Sequence, residues 1–120
     1  MNSDYEHTRD HIRATRGPFT PAEQRAAELE LATLHADGHL LHLRASEGDP
    51  PTLEEWGTHY RRTAPLLVRL ALSNPGRYEE MARVAVRKWS EAEQLEVTAI
   101  AAVGTGEDAE RWLAGKEGDA

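Results

Sequence analysis

The chain has 120 residues, no cysteine and a formal net charge of −7, with 39% apolar and 29% charged residues. This length and this proportion of apolar to charged residues predict one folded domain and not a disordered chain. The absence of cysteine excludes disulfides, thiolate metal sites and cysteine nucleophiles. The polar first residues lack the apolar core of a signal peptide, and the longest apolar run, residues 64–72, is too short to span a membrane. We therefore expect a cytoplasmic protein.

The charges are segregated along the chain. Residues 1–59 contain 11 acidic and 5 basic residues, and residues 89–120 contain 8 acidic and 2 basic ones. Residues 60–88 reverse the balance, with 7 basic and 2 acidic residues. Two interpretations remain open. The basic segment either packs beside acidic segments and pairs with them, or presents an arginine surface to an acidic partner.

Residues 1–20 predict a polar N-terminal arm. A helix over about residues 3–15 would have few apolar side chains to bury, and the Gly17-Pro18 pair would end it. His7 and His11 are four residues apart and would share a face of that helix. We expect this arm to dock loosely on the rest of the protein.

The segment from Pro21 to Glu47 predicts a long helix that continues through Gly38. One face carries apolar residues at alternating steps of four and three, and a second apolar set lies roughly opposite. A helix that is apolar on two sides usually lies between partners, so we expect it at the centre of the fold. Leu29→Ala or Leu40→Ala should then cost about 2–5 kcal/mol. The first set is Ala22, Ala26, Leu29, Thr33, Ala36, Leu40 and Leu43, and the second is Leu31, Leu34, Leu41 and Ala45.

Two further long helices are predicted. One begins with the capping box Thr52-Leu53-Glu54-Glu55, like that of Thr20 and Glu23 before it, and runs to about residue 73, with a kink or break expected at Pro65. The other begins at Asn74-Pro75 and keeps its apolar phase to residue 103. A capping pattern at Ser90 leaves two helices meeting there as the alternative.

No strand-like alternation persists along the chain. Residues 107–114 predict a short final helix, and residues 115–120 a flexible tail. The predicted fold class is therefore all-α, a single-domain bundle over residues 21–114 with three long helices and shorter terminal helices.

Three histidines, His35, His39 and His42, would line one side of the first long helix. Imidazoles four residues apart can share one divalent metal, as in helical zinc sites. The His-Glu pattern of metalloproteases and the Glu-x-x-His pairs of di-iron bundles are missing. We interpret the histidines as structural or incidental and expect no cofactor, with a metal site as an alternative hypothesis. Further ligands for such a site would be His59 with His7 or His11.

Five basic residues are the candidate partner-binding site: Arg62, Arg69, Arg83, Arg87 and Lys88. Their spacings place them on shared helix faces. The planar fork of arginine binds carboxylate or phosphate through two hydrogen bonds at once. If these residues converge, they form a local site for an acidic protein or for nucleic acid.

Two other patterns carry little functional weight. Residues 104–106, Gly-Thr-Gly, precede acidic residues that would repel phosphate, so they predict a turn between helices. Residues 90–113 have the spacing of a helix-turn-helix, but the second helix would begin with Glu107 and Asp108, which is the wrong charge for DNA.

No spacing indicates a nucleophile–base set or a pair of catalytic carboxylates, so we expect no enzymatic activity. The leading hypothesis is a small acidic interaction module, of the inhibitor, adaptor or immunity type, that binds another protein through a helical face. A nucleic-acid-binding regulator that uses the arginine-rich segment is the first alternative, and a metal-binding helical protein is the second. A homodimer is compatible with the apolar surplus, and no membrane partner is expected.

Overall fold

The computed structural model describes residues 4–103, and the side chains of residues 4–98, as a bundle of four packed helices. Helix α1 comprises Asp4–Thr15, α2 Pro21–Ser46, α3 Leu53–Ser73 and α4 Pro75–Val103. This part of the chain contains no strand, so the predicted all-α class is confirmed. None of its helices is long and apolar enough to cross a membrane. The predicted final helix and tail lie outside the described residues.

Both predicted capping boxes are present. The Thr20 hydroxyl accepts a hydrogen bond from the Glu23 backbone N–H (3.3 Å), and Glu23 Oε1 accepts one from the Thr20 N–H (3.0 Å). Thr52 and Glu55 form the same reciprocal pair at 3.1 Å each. These contacts satisfy backbone N–H groups that lack a partner within the helix, and they define where α2 and α3 begin.

The three long helices are each uninterrupted; continuity through Gly38 was predicted, and a break at Ser90 was the alternative. α2 passes through Gly38 and α4 through Ser90 without a break. α3 also passes through Pro65, so the break predicted there does not occur. Burial of Ala64 and Leu67 beside it explains this, because tertiary packing offsets the cost of a helical proline, about 3 kcal/mol.

The central helix is α3, and the prediction that α2 holds this place is wrong. α3 packs against the other three helices, whereas the α2 backbone approaches closely only that of α3. The physical reason is that α2 buries only one of its two apolar sets. Leu31 and Leu34 face α3 and are buried, while Leu29 and Leu40 are 73% and 58% exposed.

The expectation of a loosely docked N-terminal helix is also wrong. Tyr5 and Ile12, two turns apart on one face of α1, are buried in the same core cluster as residues of α3 and α4. The guanidinium carbon of Arg83 lies 4.4 Å from the centre of the Tyr5 ring. Ser90 donates a hydrogen bond to Asp4 across the same contact (2.9 Å). α1 is therefore packed against α3 and α4.

Side chains connect α2 to the start of α4. The Tyr78 hydroxyl donates a hydrogen bond to the Glu28 carboxylate, and Arg77 Nη1 lies 3.8 Å from the same carboxylate. The α2 and α4 backbones do not approach each other closely, and a groove lies between α2, α3 and α4. α2 is thus held along one face, and its opposite face is turned away from the bundle.

Candidate functional site

The solvent side of α2 carries a row of exposed, mostly apolar positions. Leu29, Leu40 and Leu43 are 73%, 58% and 41% exposed. Alanines and a threonine continue the row, and all are exposed. We call this row the α2 outward face; it comprises Ala22, Ala26, Leu29, Thr33, Ala36, Leu40 and Leu43.

The α2 outward face has the spacing of a coiled-coil seam. Its steps of four and three repeat every seven residues, so the row stays straight along the helix when a second helix lies against it. From Ala22 to Leu43 it extends about 32 Å, at 1.5 Å per residue. Small residues separate Leu29 from Leu40, and this leaves depressions into which a partner's side chains can insert.

Charged residues border this row unevenly. Glu23, Glu30 and Asp37 lie along one edge, and Arg25 lies along the other. All four are exposed, and none of them forms a salt bridge with another described residue. In coiled coils, residues at these edge positions select the partner and its orientation. The α2 outward face therefore combines an apolar centre with an acidic edge.

The three predicted histidines lie elsewhere on α2, along the groove between α2, α3 and α4. His35, His39 and His42 line this groove together with His59 of α3, in a cavity of about 560 Å³. The His42 ring centre lies 4.9 Å from that of Trp56, which also contacts His59 at 6.4 Å. The prediction that the three histidines share one side of the helix is confirmed.

The groove does not assemble a metal site. Among residues 4–98, no three side chains of the histidine, aspartate, glutamate or cysteine type are placed to hold an ion. The further ligands considered from the sequence are dispersed. His59 lies in the groove, His11 lines a different cavity, and His7 is exposed.

His59 is the histidine most affected by its surroundings. Burial lowers its pKa below the usual value, and the neighbouring His35, His42 and Arg62 act in the same direction, while Asp37 opposes them. The neutral imidazole is therefore favoured, as expected for a ring packed between α2 and α3.

The five predicted partner-binding residues occupy separate places. Arg62 and Arg69 line a cavity beside α1, and Lys88 lines the histidine groove. Arg83 stacks on α1 at Tyr5, and Arg87 lies one turn farther along α4. Their role in partner binding stays a prediction, but they do not form one continuous site.

The arginines of α4 have acidic neighbours on their own helix. Arg83 Nη2 lies 3.3 Å from Glu79, and Arg87 Nε lies 3.8 Å from Glu91. Both are (i, i+4) pairs, which partly neutralise the charge that these arginines present. The interpretation that the basic segment pairs with acidic residues therefore applies to α4.

Sequence reasoning missed two members of the cavity beside α1. Arg16 lies outside the basic segment, yet it lines this cavity with Arg62 and Arg69. Trp89 packs against the core, and its buried indole Nε1–H has no acceptor among the described residues. The aromatic side chain of Trp89 is of a type that is usually buried, but no pattern in the sequence shows whether its indole N–H has a hydrogen-bond acceptor.

Comparison of the chain with protein-family models, with curated proteins and with solved structures found no match.

Proposed function

We propose that the protein is a non-enzymatic interaction module that binds another protein through the α2 outward face. The expected ligand is an amphipathic helix with apolar residues at heptad spacing and basic residues along one edge. The observation that carries this proposal is the alignment of seven exposed positions, three of them leucines, on one continuous helical seam. Exposed apolar residues are common when scattered, but a contiguous row indicates an interaction site.

The geometry of α2 favours the docking of a helix on its surface and not the binding of a ligand in a deep pocket. The row lies roughly opposite the residues that α2 buries against α3, and among the described helices the α2 backbone approaches closely only that of α3. Ala22, Ala26 and Ala36 allow a close approach between helix axes at their positions in the row. Recognition of this kind depends on anchors at i, i+3, i+4 and i+7 of the partner helix.

Charge favours a different protein over a second copy of this chain. Two copies each carry a net charge of −7 and repel one another. In an antiparallel pair, the edge that holds Glu30 and Asp37 would also face itself. A partner with lysine or arginine along that edge is complementary, and complementarity mainly raises specificity and the association rate.

The nucleic-acid alternative receives less support. Arg83 and Arg87 are each close to a glutamate, and Arg62 and Arg69 lie in a recess beside α1 and not on a continuous surface. Binding to a nucleic-acid backbone requires cations distributed along the path of the phosphates.

A photo-crosslinking experiment tests the proposal. A photoreactive phenylalanine derivative replaces Leu40 in one protein and Leu95 in a control. Leu95 is 53% exposed on α4, which matches the 58% exposure of Leu40. After irradiation in the native host, mass spectrometry identifies the crosslinked species and the peptide joined to each position.

The expected result is a crosslink at position 40, absent at position 95, to a helical segment with heptad spacing and a basic edge. The purified partner must then bind the purified wild-type protein. Glu30→Lys with Asp37→Lys should slow association with it by about tenfold. A crosslink to a second copy of this chain, equal crosslinking at both positions, or a partner that fails to bind in purified form would contradict the proposal.

A further inference from the structure

A second site is suggested by the cavity that α1, α3 and α4 enclose with the edge of α2. Its volume is about 540 Å³, within the range of small-molecule sites. One part of its wall is apolar, from Phe19, Leu66 and Ile12, and another part consists of hydrogen-bond donors. None of its residues belongs to the seven positions of the α2 outward face, although Glu30 borders both sites, so this inference rests on different residues from the proposed function.

The charge in this cavity is positive, although the chain as a whole is acidic. Arg16, Arg62 and Arg69 line it, and Glu30 is the only acidic residue in its described lining. None of the three arginines forms a salt bridge with an acidic residue of the region 4–98. Three arginines, with Glu30 in the lining and Glu23 in electrostatic contact with Arg69 and Arg16, retain a net positive charge of one, which attracts an anion over about a Debye length.

Arg69 is held in place before any ligand arrives. Its Nε donates a hydrogen bond to the Gly17 carbonyl (2.9 Å), and its guanidinium carbon lies 4.1 Å from the centre of the Phe19 ring. Within the described residues, its two terminal Nη groups make no hydrogen bond. Because the side chain is already immobilised, it loses little conformational entropy when an anion binds to these groups.

Trp89 gives this cavity a spectroscopic reporter. Its indole ring lines the cavity and packs against the core. Its Nε1 atom is inaccessible to solvent, so a ligand in the cavity would contact the ring and not the N–H.

We propose that the cavity binds a small organic phosphate monoester. The guanidinium groups of Arg16, Arg62 and Arg69 would hold the phosphate, and the organic part would contact the apolar wall beside the Trp89 ring. A phosphate monoester fits better than a carboxylate. It carries up to two negative charges and three terminal oxygens, whereas one arginine fork already satisfies a carboxylate.

The indole N–H signal of Trp89 gives a direct test by two-dimensional NMR. The chain has three tryptophans, and the variant Trp89→Phe identifies which signal belongs to Trp89. Phenyl phosphate is the probe, with inorganic phosphate, benzoate and phenol as controls that each lack one part of it. We expect the Trp89 signal to shift saturably with phenyl phosphate, at an affinity at least about tenfold higher than for any control.

Variants of two exposed arginines complete the test. Arg16→Gln and Arg62→Gln should each weaken phenyl phosphate binding by about tenfold, equivalent to about 1.4 kcal/mol. Arg25→Gln is the matched control, because Arg25 is an exposed arginine without a salt bridge that does not line the cavity. Its affinity should be unchanged. Unchanged far-ultraviolet circular dichroism shows that each variant keeps its fold.

Several results would overturn the proposal. The Trp89 signal could fail to move, could respond equally to benzoate or inorganic phosphate, or could shift with unchanged affinity in both Arg16→Gln and Arg62→Gln. A 5′-phosphorylated oligonucleotide that binds at least about tenfold more tightly than phenyl phosphate would assign the cavity to nucleic acid instead.

Discussion

Gly38 marks the closest approach between α2 and the His59 side chain. A Cβ atom at position 38 would lie 2.8 Å from His59 Nε2, closer than non-bonded atoms normally come. Glycine within a helix costs about 1 kcal/mol relative to alanine. The imidazole that packs over this position therefore gives a physical reason for glycine there.

A double-mutant cycle tests this contact. In the His59→Ala background, Gly38→Ala should stabilise the protein by about 1 kcal/mol, the gain in helix propensity. In the presence of His59 the gain should be smaller by at least about 0.5 kcal/mol, because the ring must move. Urea denaturation of the four proteins measures both values. Equal effects of Gly38→Ala in the two backgrounds would show that the ring imposes no constraint.

Glu55 gives a prediction about pH. Hydrogen bonds from the Arg44 guanidinium, and then from the Thr52 backbone N–H, lower the pKa of Glu55 from 4.5 to about 2. A carboxylate with a lowered folded-state pKa stabilises the protein above its unfolded-state pKa. That stabilisation disappears as the pH falls from about 4.5 to about 2.

We therefore expect Glu55→Gln to lower the melting temperature at pH 7, and the difference from wild type to shrink steadily between pH 5 and pH 2. Thermal unfolding followed by circular dichroism measures this. Glu54→Gln is the control, because Glu54 lies in the same helical turn and accepts no side-chain hydrogen bond within residues 4–103. A pH-independent difference for Glu55→Gln would refute the role assigned to its ion pair with Arg44.

At the scale of elements, the sequence predicted what forms each helix but not which face each helix buries. Capping residues act within four positions of one another, so the starts at Thr20 and Thr52 were predicted correctly. The two apolar sets of α2 were also recognised. Both sets were expected to be buried, but periodicity cannot show which set packs against another helix of the same chain. The set that contains Leu29 and Leu40 is exposed. Likewise, the packing that keeps α3 intact at Pro65 comes from other helices.

Alanine substitution separates the two faces of α2. Leu34 is 1% exposed, and Leu34→Ala should cost about 2–5 kcal/mol of unfolding free energy. Leu29→Ala and Leu40→Ala should each change it by less than about 0.5 kcal/mol, contrary to the expectation from sequence. Chemical denaturation of the three variants is the measurement. A cost above about 2 kcal/mol for Leu40→Ala would mean that its side chain is buried.

At the scale of the molecule, the segregated charges become a more even distribution with one local exception. Along the chain, the basic residues concentrate in residues 60–88. In the fold, Arg83 and Arg87 each pair with a glutamate of α4. Arg62 and Arg69 line one cavity together with Arg16, which comes from a different segment of the chain. The segregation of charge along the chain could be predicted from the sequence. The grouping of three arginines around one cavity could not, because it depends on how α1 packs against α3.

The two proposed sites use different residues, except that Glu30 borders both. The α2 outward face is turned away from the bundle, and the cavity beside α1 holds unpaired arginines. Since a row of exposed leucines contributes little to stability, substitutions there should affect binding and not folding. This separation allows the central claim to be tested with soluble, folded variants.

The most direct test is the affinity of the purified partner for Leu40→Asp, measured by isothermal titration calorimetry beside Leu95→Asp. A charge placed in the centre of a docked apolar seam should weaken binding by at least about a hundredfold, as expected for a central interface residue. Leu95→Asp, equally exposed on α4, should bind within about twofold of wild type. Both variants should keep the wild-type melting temperature within a few degrees. Unchanged affinity of folded Leu40→Asp would contradict the account.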